Sequence, residues 1–239
     1  MSEPAEHIVK SFEQELVRLS DLIARMGGLV ESEVALSSAA VVDRDTTAAT
    51  RAVELDPQVD ALEREVERFA IRLLALRQPM ASDLRRIVAA LKITAGLERI
   101  GDYAVNAAKR SMVLSQLPLA FSMTGLASMA RMVQQNLKTV IDAASENDSA
   151  KAVEVWRSDR VIDDLYTAIF RELITYMMED PRNITSCTHL LFIAKNLERI
   201  GDHATNIAET VYYAATGEEL PDERPKGVSS AFAIERPEA

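Results

Sequence analysis

Apolar side chains recur at alternating spacings of three and four along most of this chain, the pattern of helices that pack through a narrow seam. One segment carries Phe12, Leu16, Leu19, Ile23, Met26 and Val30, and the next carries Leu55, Val59, Leu62, Val66, Phe69, Leu73 and Leu76. A third runs through Ile93, Leu97, Ile100, Ala104 and Ala107, followed by stripes at Met129, Val133, Leu137 and Val140, at Ile162, Leu165, Ile169, Leu173 and Tyr176, and at Ile193, Leu197, Ile200, Ala204 and Ile207. Asp45-Thr46 and Asp148-Ser149 can accept from the unpaired amides of a first helical turn, and Pro79, Pro118 and Pro181 fall between periodic stretches. The pattern predicts an all-α chain with six helices near 8–40, 45–77, 82–113, 119–145, 148–178 and 183–215.

These helices belong to a tandem repeat. Leu97-Glu98-Arg99-Ile100-Gly101-Asp102-x-Ala104-x-Asn106-x-Ala108 returns as Leu197-Glu198-Arg199-Ile200-Gly201-Asp202-x-Ala204-x-Asn206-x-Ala208. Upstream, Leu55-Asp56-x-x-Val59-Asp60-x-Leu62 corresponds to Ser158-Asp159-x-x-Ile162-Asp163-x-Leu165, and Asp45 to Asp148. The fold expected is therefore two tandem three-helix bundles, 8–113 and 117–216, followed by an aperiodic acidic tail at 217–239 that reads as disordered.

The repeated box carries a carboxylate pair at i, i+4, but an acidic chain produces such pairs by chance: 37 acids in 239 positions predict roughly six of them, mostly solvated helix faces. What sets these apart is their register. In an antiparallel hairpin, facing residues share a midpoint at the turn. Asp56 with Asp102 and Asp60 with Glu98 both centre on Pro79, whereas Asp159 with Asp202 and Asp163 with Glu198 both centre between Asp180 and Pro181. All eight carboxylates sit roughly 120° from the apolar seams, so they are expected to meet at a surface groove in each unit rather than deep in a core. Facing carboxylates repel unless a cation bridges them, and oxygen-only ligation suits a hard ion such as Mg2+, Ca2+, Mn2+ or iron. The bland alternative is a charged face balanced by Arg99, Arg199, Lys109 or Lys195. Glu63 and Glu67 prolong the acidic face in the first unit while Tyr166 and Phe170 do not in the second, so the shared carboxylates are just those that face each other.

Other polar residues in the boxes read as lesser parts. Asn106 and Asn206, one turn further on, could add oxygen ligands but read better as residues supporting the carboxylates or as exposed polar positions, and Glu209 is at best an accessory because its counterpart is Lys109. His203, whose counterpart is Tyr103, reads as a packed or exposed aromatic, and His189 as a core or boundary residue. Gly101 and Gly201 each cost about 1 kcal/mol in a helix interior, which signals a close approach by another group. No Glu-x-x-His, Gly-rich phosphate loop or nucleophile with a recognisable base is present, so no catalytic or organic-cofactor residue is assigned.

Composition narrows the setting. A net charge of -10 argues against a nucleic-acid partner and against adsorption to anionic lipid, and no apolar run reaches transmembrane length. The lone Cys187 suits a reducing compartment, and the N-terminus has no signal-peptide pattern, so a cytoplasmic location is expected.

Arg77-Gln78-Pro79-Met80-Ala81-Ser82-Asp83-Leu84-Arg85, followed by the doubled Leu-Glu-Arg-Ile-Gly-Asp box, resembles the PhoU family of bacterial phosphate-signalling and transport accessory proteins over roughly residues 8–215. The resemblance implies paired three-helix bundles whose E(D)-x-x-x-D motifs bind metal, sometimes as multinuclear iron clusters. These motifs fall on Asp56/Asp60, Glu98/Asp102, Asp159/Asp163 and Glu198/Asp202. It also implies negative regulation of the phosphate-starvation response and of phosphate uptake, with the ATPase subunit of a phosphate ABC transporter and a sensor histidine kinase as partners, contact with the inner membrane only through them, and a homodimeric assembly. The second unit departs from the family's turn, having Glu179-Asp180-Pro181-Arg182-Asn183 in place of Arg-Gln-Pro. Two other functions stand beside this one: a metal-dependent phosphate-handling enzyme, and an accessory protein of a different phosphate permease.

Overall fold

The computed structural model describes residues 3–118 and 123–221. Its helices are α1 (Glu3–Val42), α2 (Thr46–Arg77), α3 (Ala81–Leu114), α4 (Thr124–Glu146), α5 (Ser149–Glu179) and α6 (Ile184–Thr216), with a single 3-10 turn, Pro181–Asn183, leading into α6. No strand occurs among the described residues. α1, α2 and α3 pack on one another, as do α4, α5 and α6, and the two bundles join through α3 against α6 and α1 against α4. Two expected boundaries differ: the first helix begins at Glu3 rather than near 8, and the fourth at Thr124 rather than near 119, where 119–122 lie outside the described residues. Of the expected tail, Gly217–Pro221 is described and non-helical; the rest falls outside the described residues.

Local chemistry accounts for the helix ends. Asp45 accepts from the amides of Thr47 and Ala48 at 2.8 and 3.1 Å, and Asp148 accepts from those of Ala150 and Lys151 at 2.8 and 3.2 Å, so both expected N-caps form. A left-handed residue precedes each cap, Arg44 at φ 57° and Asn147 at φ 54°. Asn tolerates that conformation; Arg44 offsets its cost by donating to the carbonyls of Leu114, Ser115 and Leu117 at 3.0, 2.9 and 2.8 Å, which closes the C-terminus of α3. At the α2–α3 turn, Arg77 grips Glu15 of α1 through two bonds of 2.7 and 3.1 Å and donates to the Ser11 hydroxyl at 3.1 Å. The second unit's turn is held locally instead, with Asp180 accepting from the amide of Arg182 at 2.9 Å.

The main apolar core runs through both bundles, from Leu16 to Val211, and a small alanine cluster of Ala40, Ala48, Ala49, Ala52 and Ala108 lies apart from it in the first. The midline of the main core is the antiparallel crossing of α3 and α6, where numbers climb on one helix as they fall on the other. A Cβ on Gly96 would stand 2.9 Å from Ile207, Tyr103 meets His203 with ring centroids 5.7 Å apart, and Arg110 lies 4.1 Å over the Phe192 ring. Gly96 is thus required by the packing of the bundles on each other. Gly96→Val is expected to lower Tm, because overpacking costs about 1–3 kcal/mol and each kcal/mol moves Tm by about 2–4 °C at this size. Adding Ile207→Ala should cost less than it does alone, since the two changes share one space; thermal melts that show strict additivity would place the clash elsewhere.

Candidate functional site

In the first bundle, α2 presents Asp56 and Asp60, and α3 presents Glu98 and Asp102, all partly exposed. Across the α2–α3 hairpin these charges act on one another. Burial, then Asp60 and Asp102, raise the Asp56 carboxyl; burial, then Asp102, with Glu63 and Asp60 adding to it, raise Glu98. The cations nearby do little to cancel this. Arg99 lies 3.5 Å from Glu98 and 3.3 Å from Asp102, and Arg64 lies 3.7 Å from Asp60, but both guanidiniums are well exposed and such pairs contribute about 0–1 kcal/mol.

Beneath these four sits a fifth carboxylate that the sequence reading missed. Glu33 of α1 is fully buried, at 0 % exposure, and neither of its oxygens has a hydrogen-bond partner among the described residues. Burial first, and then the charges of Asp56, Asp60 and Asp102, push its pKa up to about 8. Its carboxylate lies against Gly101, where a Cβ would stand 2.7 Å from Glu33 Oε2. The signal was available, because the alternation Leu16, Leu19, Ile23, Met26, Val30 continues to position 33, placing an acid where the seam calls for an apolar residue.

The second bundle uses the same frame with different partners. The counterpart of Glu33 is Asn136, which donates to Ser158 Oγ at 2.7 Å. Asp159 was expected at the surface and is instead buried, at 3 % exposure. Thr205, standing where the first unit has Val105, donates to its Oδ1 at 3.0 Å and so replaces the water it loses. Lys195, where the first unit has Ala95, puts its ammonium 2.6 Å from Glu198 and 5.1 Å from the Tyr166 ring centroid. Burial still raises the Glu198 carboxyl, with the Lys195 hydrogen bond opposing it. Arg199 stands 3.7 Å from Asp202, and Asp163 is partly exposed on α5. Ile162 fills the space at Gly201, 3.1 Å from where a Cβ would be.

The remaining residues fall as expected. Asn106 and Asn206 are exposed; His203 is packed on Tyr103, and its pKa is lowered by burial first. His189 is half-buried. Among the described residues, no three Asp, Glu, His or Cys side chains are already drawn together closely enough to enclose a metal ion. The donor set nonetheless suits one: oxygen ligands only, like charges gathered from three helices, and a buried carboxylate with both oxygens unpaired.

The PhoU domain family model matches residues 23–111 and 126–211, the greater part of each bundle. The chain belongs to the PhoU family. A Caulobacter vibrioides relative described as a phosphate-specific transport system accessory protein PhoU homolog is 53% identical over 222 residues, 92% of this chain and 96% of that protein. A Rhizobium meliloti protein with the same description is 49% identical over 92% and 93% of the two chains. The crystal structure of PhoU from Pseudomonas aeruginosa shares 38% identity and superposes with a TM-score of 0.85, covering 87% of this chain and all of that one (100%). The regulatory PhoU of Streptococcus pneumoniae superposes at 0.80 with 29% identity, over 88% and 99% of the two chains. The family's helical frame is therefore present along both units.

The buried acid makes a pH prediction. A carboxyl whose pKa rises from 4.5 to about 8 on folding leaves the native state holding more protons than the unfolded state between those values. Its contribution is full below 4.5 and is lost as pH rises through 8. In chelator-treated protein, Glu33→Gln should accordingly raise Tm at alkaline pH and flatten the fall between pH 5 and pH 8.5. Reading the difference between variant and wild type cancels the opposite shift at Glu15, whose pKa is lowered by the hydrogen bond from Arg77. Parallel profiles for the two proteins would mean that Glu33 is not buried unpaired.

Proposed function

We propose that this chain is a phosphate-transport accessory protein that holds the phosphate-starvation response and phosphate uptake in check, joining the ATPase subunit of a phosphate ABC transporter to a phosphate-sensing histidine kinase. The observation that carries the reading is the end-to-end likeness to the Caulobacter vibrioides protein, 53% identical over 92% of this chain and described as an accessory protein of that transport system. No helix among the described residues is long and apolar enough to cross a membrane, and contact with a transporter would run through its partners' exposed parts. A homodimeric assembly belongs to the same proposal. That the relatives are described as accessory or regulatory proteins supports an adaptor rather than an enzyme.

The carboxylate groups give such an adaptor a cation site. Asp56, Asp60, Glu98 and Asp102 would hold a hard ion in the first bundle, and Asp159, Asp163, Glu198 and Asp202 in the second, with iron, Mn2+, Mg2+ or Ca2+ each matched to oxygen donors. The ion would supply positive charge where α2 and α3 now repel. Because it would bind the native chain selectively, saturation at 100 times Kd should add about 2.7 kcal/mol of stability. Asp102→Asn combined with Asp202→Asn should abolish most of the metal-dependent rise in Tm while helix content by circular dichroism stays unchanged. An undiminished shift in the double variant would move the ions to other residues.

For signalling, deleting the gene should switch on phosphate-starvation genes in phosphate-rich medium, and the effect should require the sensor kinase and be reversed by the intact protein. Normal repression in the deletion strain would defeat the adaptor reading. Metal-dependent turnover of a phosphorylated compound by the purified protein would favour an enzyme instead.

A further inference from the structure

Near the carboxylates, Lys109, whose charge lowers the Asp56 carboxyl, gives way to Glu209, but three other differences between the bundles make the first the more acidic. Glu33 is replaced by Asn136, Ala95 by Lys195, and Glu63 by Tyr166. In the second bundle two of the acids have a protein donor: Thr205 donates to Asp159 Oδ1 and Lys195 to Glu198 Oε1, the same ammonium standing 2.6 Å from the buried Glu198 Oε2, while Asn136 spends its amide on Ser158. In the first, Val105 and Ala95 can donate nothing from their side chains, and Glu33 adds a further acid from below with both oxygens buried and unpaired.

We propose that Glu33 of α1 is an additional, inner cation ligand, and that the first bundle is the strong divalent-cation site of the molecule while the second is largely neutralised by its own side chains. The inference rests on the reading that the facing carboxylates take a cation, and extends it to a residue outside the E(D)-x-x-x-D motifs and to an order of loading between the bundles. Geometry supports it in two ways. The Glu33 carboxylate is wedged against Gly101, one residue before Asp102, so it reaches the groove floor between α2 and α3. The four outer acids are partly exposed and able to swing inward, whereas Glu33 is already fixed by packing. Ligation through Glu33 would also tie α1 to the hairpin, making the site a clamp on three helices.

Titration of the full chain with Mn2+ alone tests this, because the ion broadens NMR signals close to it. Labelled methyls of Val59, 3.7 Å from a Cβ built on Gly101, and of Ile162, beside Gly201, report on the two bundles separately. Val59 should broaden first. Glu33→Gln, which keeps the shape of the side chain, should weaken Mn2+ binding about ten-fold or more, since charge count among oxygen ligands sets affinity over decades. Asp202→Asn should change the strong site less than about two-fold, because Coulomb coupling through water at that range is small. The paired change Asn136→Glu with Lys195→Ala should create a second strong site reported by Ile162, and this holds the proposal to account even if Glu33→Gln folds poorly. Unchanged affinity in Glu33→Gln, or broadening at Ile162 first, would overturn the inference while leaving metal binding intact. No broadening of either methyl in the wild type at millimolar Mn2+ would overturn the cation reading itself.

Discussion

The antiparallel crossing of α3 and α6 is the contact on which everything else in this chain depends. Each of these helices closes its own bundle and also forms the wall shared with the other, so its circumference is almost fully committed. On α3, Leu97, Ile100 and Ala104 face the interior, Gly96 yields to Ile207 of α6, and Gly101 yields to Glu33 of α1. The flank left to water runs through Lys92, Ala95, Arg99, Asn106 and Lys109, with Glu98 and Asp102 partly exposed along it. The repeated box is thus a packing solution first, and its acids occupy the one sector that the packing leaves over.

That constraint explains what the sequence made legible. Helix number, the N-caps at Asp45 and Asp148, and the pairing of α2 with α3 and of α5 with α6 all follow from short-range periodicity and turn chemistry, and all are present. The eight carboxylates were found because they repeat. Glu33 was missed for the complementary reason: it has no acidic counterpart, and it sits on a helix whose other seam positions are apolar. Asp159 was misplaced because its burial depends on Thr205, a partner in another helix that no helical wheel of α5 contains. The continuous core was also hidden, since a repeat reads as two domains until Gly96 and Ile207 are seen to share one space.

Between the two units, similarity of fold conceals a difference in electrostatic strategy. The second unit gives two of its acids, Asp159 and Glu198, a protein donor, a solution that stabilises the bundle without help from solution ions. The first leaves its acids in mutual repulsion over an unpaired buried carboxyl. Repulsion of this kind is a cost in folding and a source of selectivity in binding, because whatever relieves it is bound more strongly by the same amount.

The stacking of Tyr103 on His203 has a meaning beyond its few square ångströms. These two residues are each other's counterparts in the repeat, and they meet at 5.7 Å because the local two-fold axis of the molecule passes between them. Two identical single-unit chains related by such an axis would have to bring like against like there, Tyr to Tyr or His to His. A covalent tandem is free of that obligation. The fused chain can hold a mixed pair on its axis, and with it a left and a right half that no symmetric dimer of single units could tell apart.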